Sequence, residues 1–137
     1  MTFLANYKHV YTQFGSSRPW GVSMMYAGWD RVMGFQLYKS DPSGNYAAWK
    51  AHATGKNSQR AEGILKDDYS ENCSLKEALT LAVKVLAKSM DSAKPDPKKF
   101  EIGIVYREGG HVTQRMVEGE ELEKICHEAK IFDEEDA

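Results

Sequence analysis

The sequence predicts an α+β fold in which helices pack on antiparallel sheet. Apolar residues recur at helical spacing in four segments and alternate with a period of two in five others. The alternating segments follow one another through short, turn-rich links, which favours antiparallel neighbours. The predicted order is a helix, three strands, two helices, a two-stranded hairpin and a final helix.

Composition is ordinary for a globular domain: 137 residues, 42% of them apolar, with a formal net charge of -2. No stretch approaches the roughly 18 consecutive apolar residues of a membrane helix. The start, "MTFLANYKHV", has neither a basic segment nor a sustained apolar run, so no secretory signal is expected. These features predict an intracellular protein.

The first helix is predicted over 3–14, where Leu4, Tyr7 and Tyr11 recur at helical spacing. Gly15 follows as a residue suited to the C′ position, and no capping residue precedes the helix.

Three strands are predicted next, over 20–30, 34–39 and 45–54, as an antiparallel meander. In the first of them Trp20, at the start, opens the alternation of large and small side chains.

The segment 41–44, "DPSG", joins the second strand to the third. Asp at the first position, Pro at the second and Gly at the fourth are typical of a type I turn. A serine-nucleophile elbow requires G-x-S-x-G between a strand and a helix, and Ser43 has one neighbouring glycine and precedes a strand. A phosphate loop requires consecutive N–H groups, and Pro42 removes one. Ser43 is therefore predicted to be a turn residue.

Two helices and a hairpin are predicted in the second half. The first helix follows Gly55, with Asn57 or Ser58 as its cap. The next has a capping box of Ser74 and Glu77. The predicted inward residues of the first helix are Ala61, Ile64, Leu65 and Tyr69, and those of the second are Leu75, Ala78, Leu79, Ala82, Val83, Leu86 and Met90.

The hairpin and the last helix are signalled by glycines and acids. Gly109 and Gly110 suit a two-residue turn between alternating segments. The helix over 119–131 has acids in its first turn and Leu122, Ile125 and Ala129 on its inner face.

The distribution of charged residues argues against a nucleic-acid site. Residues 118–137 contain nine acids against two lysines, which predicts a solvated acidic end. The basic cluster of Lys94, Lys98 and Lys99 has no interleaved aromatics and predicts a solvated loop, not a nucleic-acid site.

No metal or cofactor site is predicted. Cys73 and Cys126 form no CxxC pair, and adjacent Cys126 and His127 point in different directions on a helix. Asp67 and its neighbour Asp68 are interpreted as a solvated helix face, and His52 as a hydrogen-bonded histidine at a sheet face.

Three stretches together resemble the C-terminal half of a eukaryotic proteasome α-type subunit: "YTQFGSSRPWGVSMMYAGWD", "GFQLYKSDPSGNYAAWKA" and "LTLAVKVLAKSMD". Trp20 stands where that family usually has a phenylalanine. The resemblance implies the C-terminal half of the four-layer αββα sandwich of the N-terminal nucleophile hydrolases. It implies that 1–131 is a partial α-type domain lacking its N-terminal half, followed by an acidic tail over 132–137.

The resemblance also implies a function. Subunits of this type are non-catalytic structural members of the α ring of the proteasome core particle and take part in ubiquitin-dependent protein degradation in the cytoplasm and nucleus. The implied partners are other α-type and β-type subunits, and regulatory particles through the assembled ring, with no nucleic acid and no membrane. No catalytic, cofactor-binding or metal-binding residue is implied. The gate segment and the lysine of the activator pocket belong to the half of the family domain that this sequence lacks.

Two alternatives stay open. Removal of Met1 would expose Thr2 as the nucleophile of a β-type peptidase, although Thr2 leads into a helical pattern and the assisting lysine belongs to the missing half. Asp91 falls where catalytic members keep an acid, yet the following "SAKPDP" differs from their loop.

The other alternative is a stand-alone binding module built on half the fold. Half of a sandwich exposes sheet edges and an apolar face, so the chain is not expected to be a stable monomer.

Overall fold

The computed structural model describes residues 1–15, 18–90 and 96–131. Asp91, Lys94 and the acidic tail over 132–137, which enter the expectations above, lie outside the described residues. The chain divides into two compact units, 1–56 and 57–137, and each is described by itself.

In the first unit, residues 1–15 and 18–56 form one helix and a three-stranded sheet. Its elements are α1 (Thr2–Gln13), β1 (Met24–Asp30), β2 (Gly34–Ser40) and β3 (Tyr46–Trp49). The strands form an antiparallel sheet in the order β1-β2-β3, so the predicted meander is confirmed.

The predicted boundaries of β1 and β3 are wrong. β1 begins at Met24, not at Trp20, because Met24 pairs with Ser40, the last residue of β2. After Ser40 the chain enters the turn at 41–44. The alternating residues before Met24 therefore have no described part of β2 to pair with. β3 ends at Trp49, which pairs with Leu37, and His52 therefore lies outside the strand predicted to contain it.

Gly15 occupies the predicted C′ position, one residue after the C-cap Phe14, but without the left-handed conformation that favours glycine there. The C-cap residue Phe14 has extended backbone angles, with φ -104° and ψ 122°, and Gly15 does not adopt a positive φ. The helix therefore ends without a left-handed glycine.

In the second unit, the described residues 57–90 and 96–131 form three helices, one short 3-10 turn and a hairpin. Its elements are α2 (Ser58–Asp68), α3 (Leu75–Ser89), a 3-10 turn (Pro97–Lys99), β4 (Ile102–Glu108), β5 (His111–Val117) and α4 (Glu120–Glu128). β4 and β5 pair antiparallel around Gly109 and Gly110, which have φ values of 57° and 84°. The predicted hairpin and its positive-φ glycines are confirmed.

The capping box at the start of α3 is confirmed. The N–H of Glu77 donates to Ser74 Oγ over 3.3 Å, and the N–H of Ser74 donates to a Glu77 carboxylate oxygen over 2.7 Å. α2 begins differently: its cap residue Asn57 has a positive φ of 59°, and its side-chain amide donates to the carbonyl of Ser89 over 2.7 Å. Asn57 thus joins the start of α2 to the end of α3.

Apolar side chains of the second unit form one core between α3, α4 and the hairpin. The buried members are Leu79, Val83, Ala87, Phe100, Ile102, Ile104, Val117, Leu122, Ile125 and Cys126. Part of the predicted inner face of α3 is wrong, since Leu75 is 49% and Leu86 39% exposed, while Val85 is buried. α3 packs on both α2 and α4, so its buried surface is wider than a single stripe.

Within the described part of the chain, no helix is long and apolar enough to cross a membrane.

Candidate functional site

The most unusual side chain of the first unit is Lys8, on the inner face of α1. It is fully buried, and its ammonium group donates three hydrogen bonds. The acceptors are the Val22 carbonyl at 3.0 Å, Ser40 Oγ at 3.0 Å and the Asp41 carbonyl at 3.3 Å. An ammonium group has three donors, so all of them are used. Every one of these acceptors is uncharged, which leaves a buried positive charge held by dipoles alone.

Lys8 belongs to a larger polar cluster on the sheet face that carries α1. The Tyr26 hydroxyl lies 3.0 Å from Ser40 Oγ, so Ser40 links the lysine to β1. At the start of α1, Thr2 Oγ1 lies 3.3 Å from the Tyr46 hydroxyl. Sequence reasoning missed this cluster. Its one local signal is the spacing of Ala5 and Lys8, which places both on one side of the helix, where both are buried.

The turn at 41–44 lies directly against α1. The Gly44 N–H donates to the Asp41 carbonyl over 3.2 Å, which closes the predicted turn between β2 and β3. A Cβ added at Gly44 would lie 2.6 Å from the Ala5 carbonyl oxygen and 3.0 Å from the His9 backbone nitrogen. Gly44 also has a φ of 93°, a conformation that favours glycine. Ser43 contributes its carbonyl, 3.1 Å from His9 Nδ1.

The Asp41 carboxylate holds this turn together. One of its oxygens accepts from Ser43 Oγ at 2.6 Å, from the Ser43 N–H at 2.9 Å and from the Asn45 N–H at 3.1 Å. The Ser43 hydroxyl bond is the main cause that lowers the pKa of Asp41 from its usual value, and the backbone N–H groups add to it. The Ser43 hydroxyl is therefore engaged as a donor in the turn, as its predicted role there requires.

The other face of the sheet is mostly apolar, and its charged member is Lys39. Strand register places eight side chains on it, and we call this set the apolar face: Met25, Ala27, Trp29, Phe35, Leu37, Lys39, Ala47 and Trp49. Three large members are substantially exposed: Met25 by 44%, Phe35 by 56% and Trp49 by 44%. Exposed apolar clusters of this kind mark surfaces that contact another protein layer.

The residues considered as catalytic candidates lie in separate parts of the chain. Thr2 is the first residue of α1, and its Oγ1 lies 3.3 Å from the Tyr46 hydroxyl. Asp68 forms an ion pair with Lys84 over 2.7 Å, which links α2 to α3, while Asp67 is exposed. The His52 ring stacks on Trp49 with a centroid distance of 4.3 Å.

The cysteines and the adjacent histidine lie in different environments. Cys126 is fully buried in the core of the second unit, and burial raises the pKa of its thiol, with a smaller contribution from the Glu123 carboxylate. His127 is exposed and Cys73 is half-buried. Among residues 1–15, 18–90 and 96–131, no group of three or more histidine, cysteine or acidic side chains is arranged to hold a metal ion.

A family profile described as "Proteasome subunit" matches residues 1–105 of the chain. The helices and antiparallel sheets described above are consistent with a fragment of the sandwich of N-terminal nucleophile hydrolase type, and the predicted α+β class is confirmed. The chain belongs to the proteasome subunit family.

Within that family the chain is similar to α-type subunits. It is 47% identical over 128 residues to proteasome subunit alpha type-4 of Dictyostelium discoideum, covering 93% of this chain and 51% of the relative. It is 47% identical over 130 residues to alpha type-4-1 of Oryza sativa subsp. indica, covering 93% and 52%. It is 54% identical over 103 residues to alpha type-4-A of Arabidopsis thaliana, covering 75% and 41%. The chain thus spans about half the length of the curated relatives it matches, and its resemblance to the α type is confirmed.

Gly44→Ala tests the contact between the turn and α1. The substitution adds a Cβ against the Ala5 carbonyl and strains a positive φ, so we expect a loss of more than about 2 kcal/mol in the free energy of unfolding, measured by denaturant titration. Gly34→Ala is the matched control, because Gly34 has a φ of 72° but open space around its Cβ position. Gly34→Ala should cost about 1 kcal/mol. Equal losses in the two variants would contradict the contact.

Lys8→Met tests the buried ammonium group. The methionine keeps the apolar stem but leaves three acceptors without their donor, and the relief of a buried charge offsets part of that loss. We expect a net loss of about 2 kcal/mol in the free energy of unfolding, followed by denaturant titration. Lys66→Met, at an exposed position on α2, is the control and should change the free energy by less than about 0.5 kcal/mol. A Lys8→Met protein as stable as the parent would contradict the role of Lys8.

Asp41→Asn tests the charge in the turn through its pH dependence. Because folding lowers the pKa of Asp41, its charge stabilises the folded state above the unfolded carboxyl pKa of about 3.9, and that contribution is lost as pH falls through the lower folded value. Asp41→Asn should therefore lower Tm at pH 7, and the difference from the parent should shrink below about pH 4. Asp67→Asn, at an exposed position, is the control. A difference that stays constant with pH would refute the assignment.

Proposed function

We propose that the chain acts as a non-catalytic structural subunit of the α ring of the proteasome core particle, taking part in ubiquitin-dependent protein degradation in the cytoplasm and nucleus. The proposed partners are other α-type and β-type subunits, and regulatory particles through the assembled ring. Neither nucleic acid nor membrane is a proposed partner. Similarity to subunits named alpha type-4 supports the assignment to the α ring.

The observation that carries the proposal is the apolar face of the first unit. Its exposed aromatic and methionine side chains lie opposite the face that packs on α1. In a two-sheet sandwich, such a face packs on a second sheet about 10 Å away. A chain of this family with that face uncovered is suited to a place within a larger assembly.

The position of Thr2 supports the non-catalytic part of the proposal. A threonine nucleophile needs a base positioned to take its proton. Thr2 instead lies in the first turn of a helix, with its hydroxyl beside that of Tyr46. The proposed role for Thr2 is thus to connect α1 with β3.

Incorporation into core particles is the test. An epitope-tagged chain expressed in eukaryotic cells should co-sediment with the core particle. Phe35→Asp should reduce the incorporated fraction at least about tenfold, because a charge on the apolar face has no water or partner in a packed sandwich. Val32→Asp is the matched control and should incorporate normally, since Val32 is 90% exposed in the turn between β1 and β2.

Two results would overturn the proposal. One is a folded, tagged chain that stays out of core-particle fractions. The other is labelling of Thr2 by a threonine-directed covalent probe in the full chain, with loss of labelling in Thr2→Ala, which would indicate a peptidase.

A further inference from the structure

A groove of about 650 Å³ lies beside the C-terminal half of α1, within the first unit. Its lining comes from the helix and from the segment that precedes β1: Tyr11, Arg18, Pro19, Trp20, Gly21 and Val22. The volume is in the range of sites that bind small ligands or short peptide segments. The groove is open to solvent and not enclosed, which suits an extended occupant.

Three aromatic rings support one wall of the groove. The ring centroids of Tyr7 and Tyr11 are 5.3 Å apart, and each lies 6.0 Å from that of Trp20. The two tyrosine hydroxyls are also within 3.2 Å of each other. Because each ring contacts the other two, their orientations are set before anything binds. Trp20 is nevertheless 37% exposed, so its surface is available to an occupant.

The charge of the groove is positive. Arg18 is exposed and is the one charged residue among the described residues of the lining. The buried Lys8 ammonium adds a second positive charge, since it donates to the carbonyl of Val22, another lining residue. No acidic residue is in the lining. The groove therefore favours an occupant that carries a negative charge.

The chemistry of the lining selects one class of occupant. Open aromatic grooves bind extended, proline-containing segments, whose rigid backbone costs little entropy to order. Nucleotide phosphates are held by several converging N–H groups or cations, whereas this groove has one arginine, and Pro19 supplies no N–H. We propose that the groove is a docking site for an extended, proline-containing peptide segment of a partner protein, with an acidic side chain placed on Arg18.

The test uses a defined peptide and the full chain. The probe is acetyl-Pro-Pro-Asp-Pro-Pro-amide, and the indole N–H signal of Trp20, assigned with Trp20→Phe, is followed by NMR. We expect saturable shifts with a Kd of about 1 mM or below. Replacing the peptide's Asp by Asn should weaken binding about fivefold, and Arg18→Gln about tenfold, because a charge-assisted hydrogen bond is lost.

The chain offers a matched control. Arg31→Gln removes an exposed arginine in the turn between β1 and β2, outside the groove, and should leave the Kd unchanged. Trp20→Ala should abolish the peptide response at the neighbouring Tyr11 signals, while Trp20→Phe should retain most of it.

Three results would overturn the proposal. They are the absence of a saturable shift up to about 5 mM peptide, equal weakening by Arg31→Gln and Arg18→Gln, and binding of AMP that is tighter than that of the acidic peptide. The last result would identify the groove as a nucleotide site. None of these outcomes depends on whether the chain enters core particles.

Discussion

The buried ammonium group of Lys8 is the interaction on which the first unit depends. Its three acceptors come from three parts of the chain: the segment before β1, the end of β2 and the turn after it. A buried charge without a carboxylate partner is tolerated only when all its donors are satisfied together. Movement of any of the three parts would leave the charge unsatisfied, so Lys8 couples their positions to α1.

The turn at 41–44 shows how one stretch serves both as an identifier and as a structural element. Its residues belong to one of the stretches that resemble the family, and its geometry places Gly44 against the backbone of α1. The Asp41 carbonyl accepts from Lys8 while the Asp41 side chain closes the turn on Ser43. The hydroxyl of Ser43 is bonded within the turn, and its carbonyl lies beside His9 of α1. These contacts explain a serine at this position without a nucleophilic role.

The two faces of the three-stranded sheet differ in polarity and in what they contact. One face is polar and tyrosine-rich and holds α1 through Ser40 and Tyr26. The opposite, apolar face exposes Phe35 and Trp49. A sheet with one satisfied face and one uncovered apolar face is stable as a layer within a larger structure, because burial of the second face supplies the missing hydrophobic free energy. This division supports the proposal that the chain is one layer of a larger assembly.

Sequence patterns predict the order of elements, the meander, the capping box of Ser74 and Glu77, and the hairpin at Gly109 and Gly110. Each of these follows from residues a few positions apart, where period, cap or turn chemistry acts locally. The sequence also sufficed for the family resemblance.

Which residues are buried and where strand pairing stops depend on contacts made in the folded structure. Trp20 has the alternation of a strand but lies outside β1, because β2 ends at Ser40 and offers no partner further along. Leu86 fits an apolar stripe but is exposed, and Lys8 carries a charge but is fully buried. In each case the outcome depends on contacts between residues far apart in the chain, and neither periodicity nor propensity contains that information.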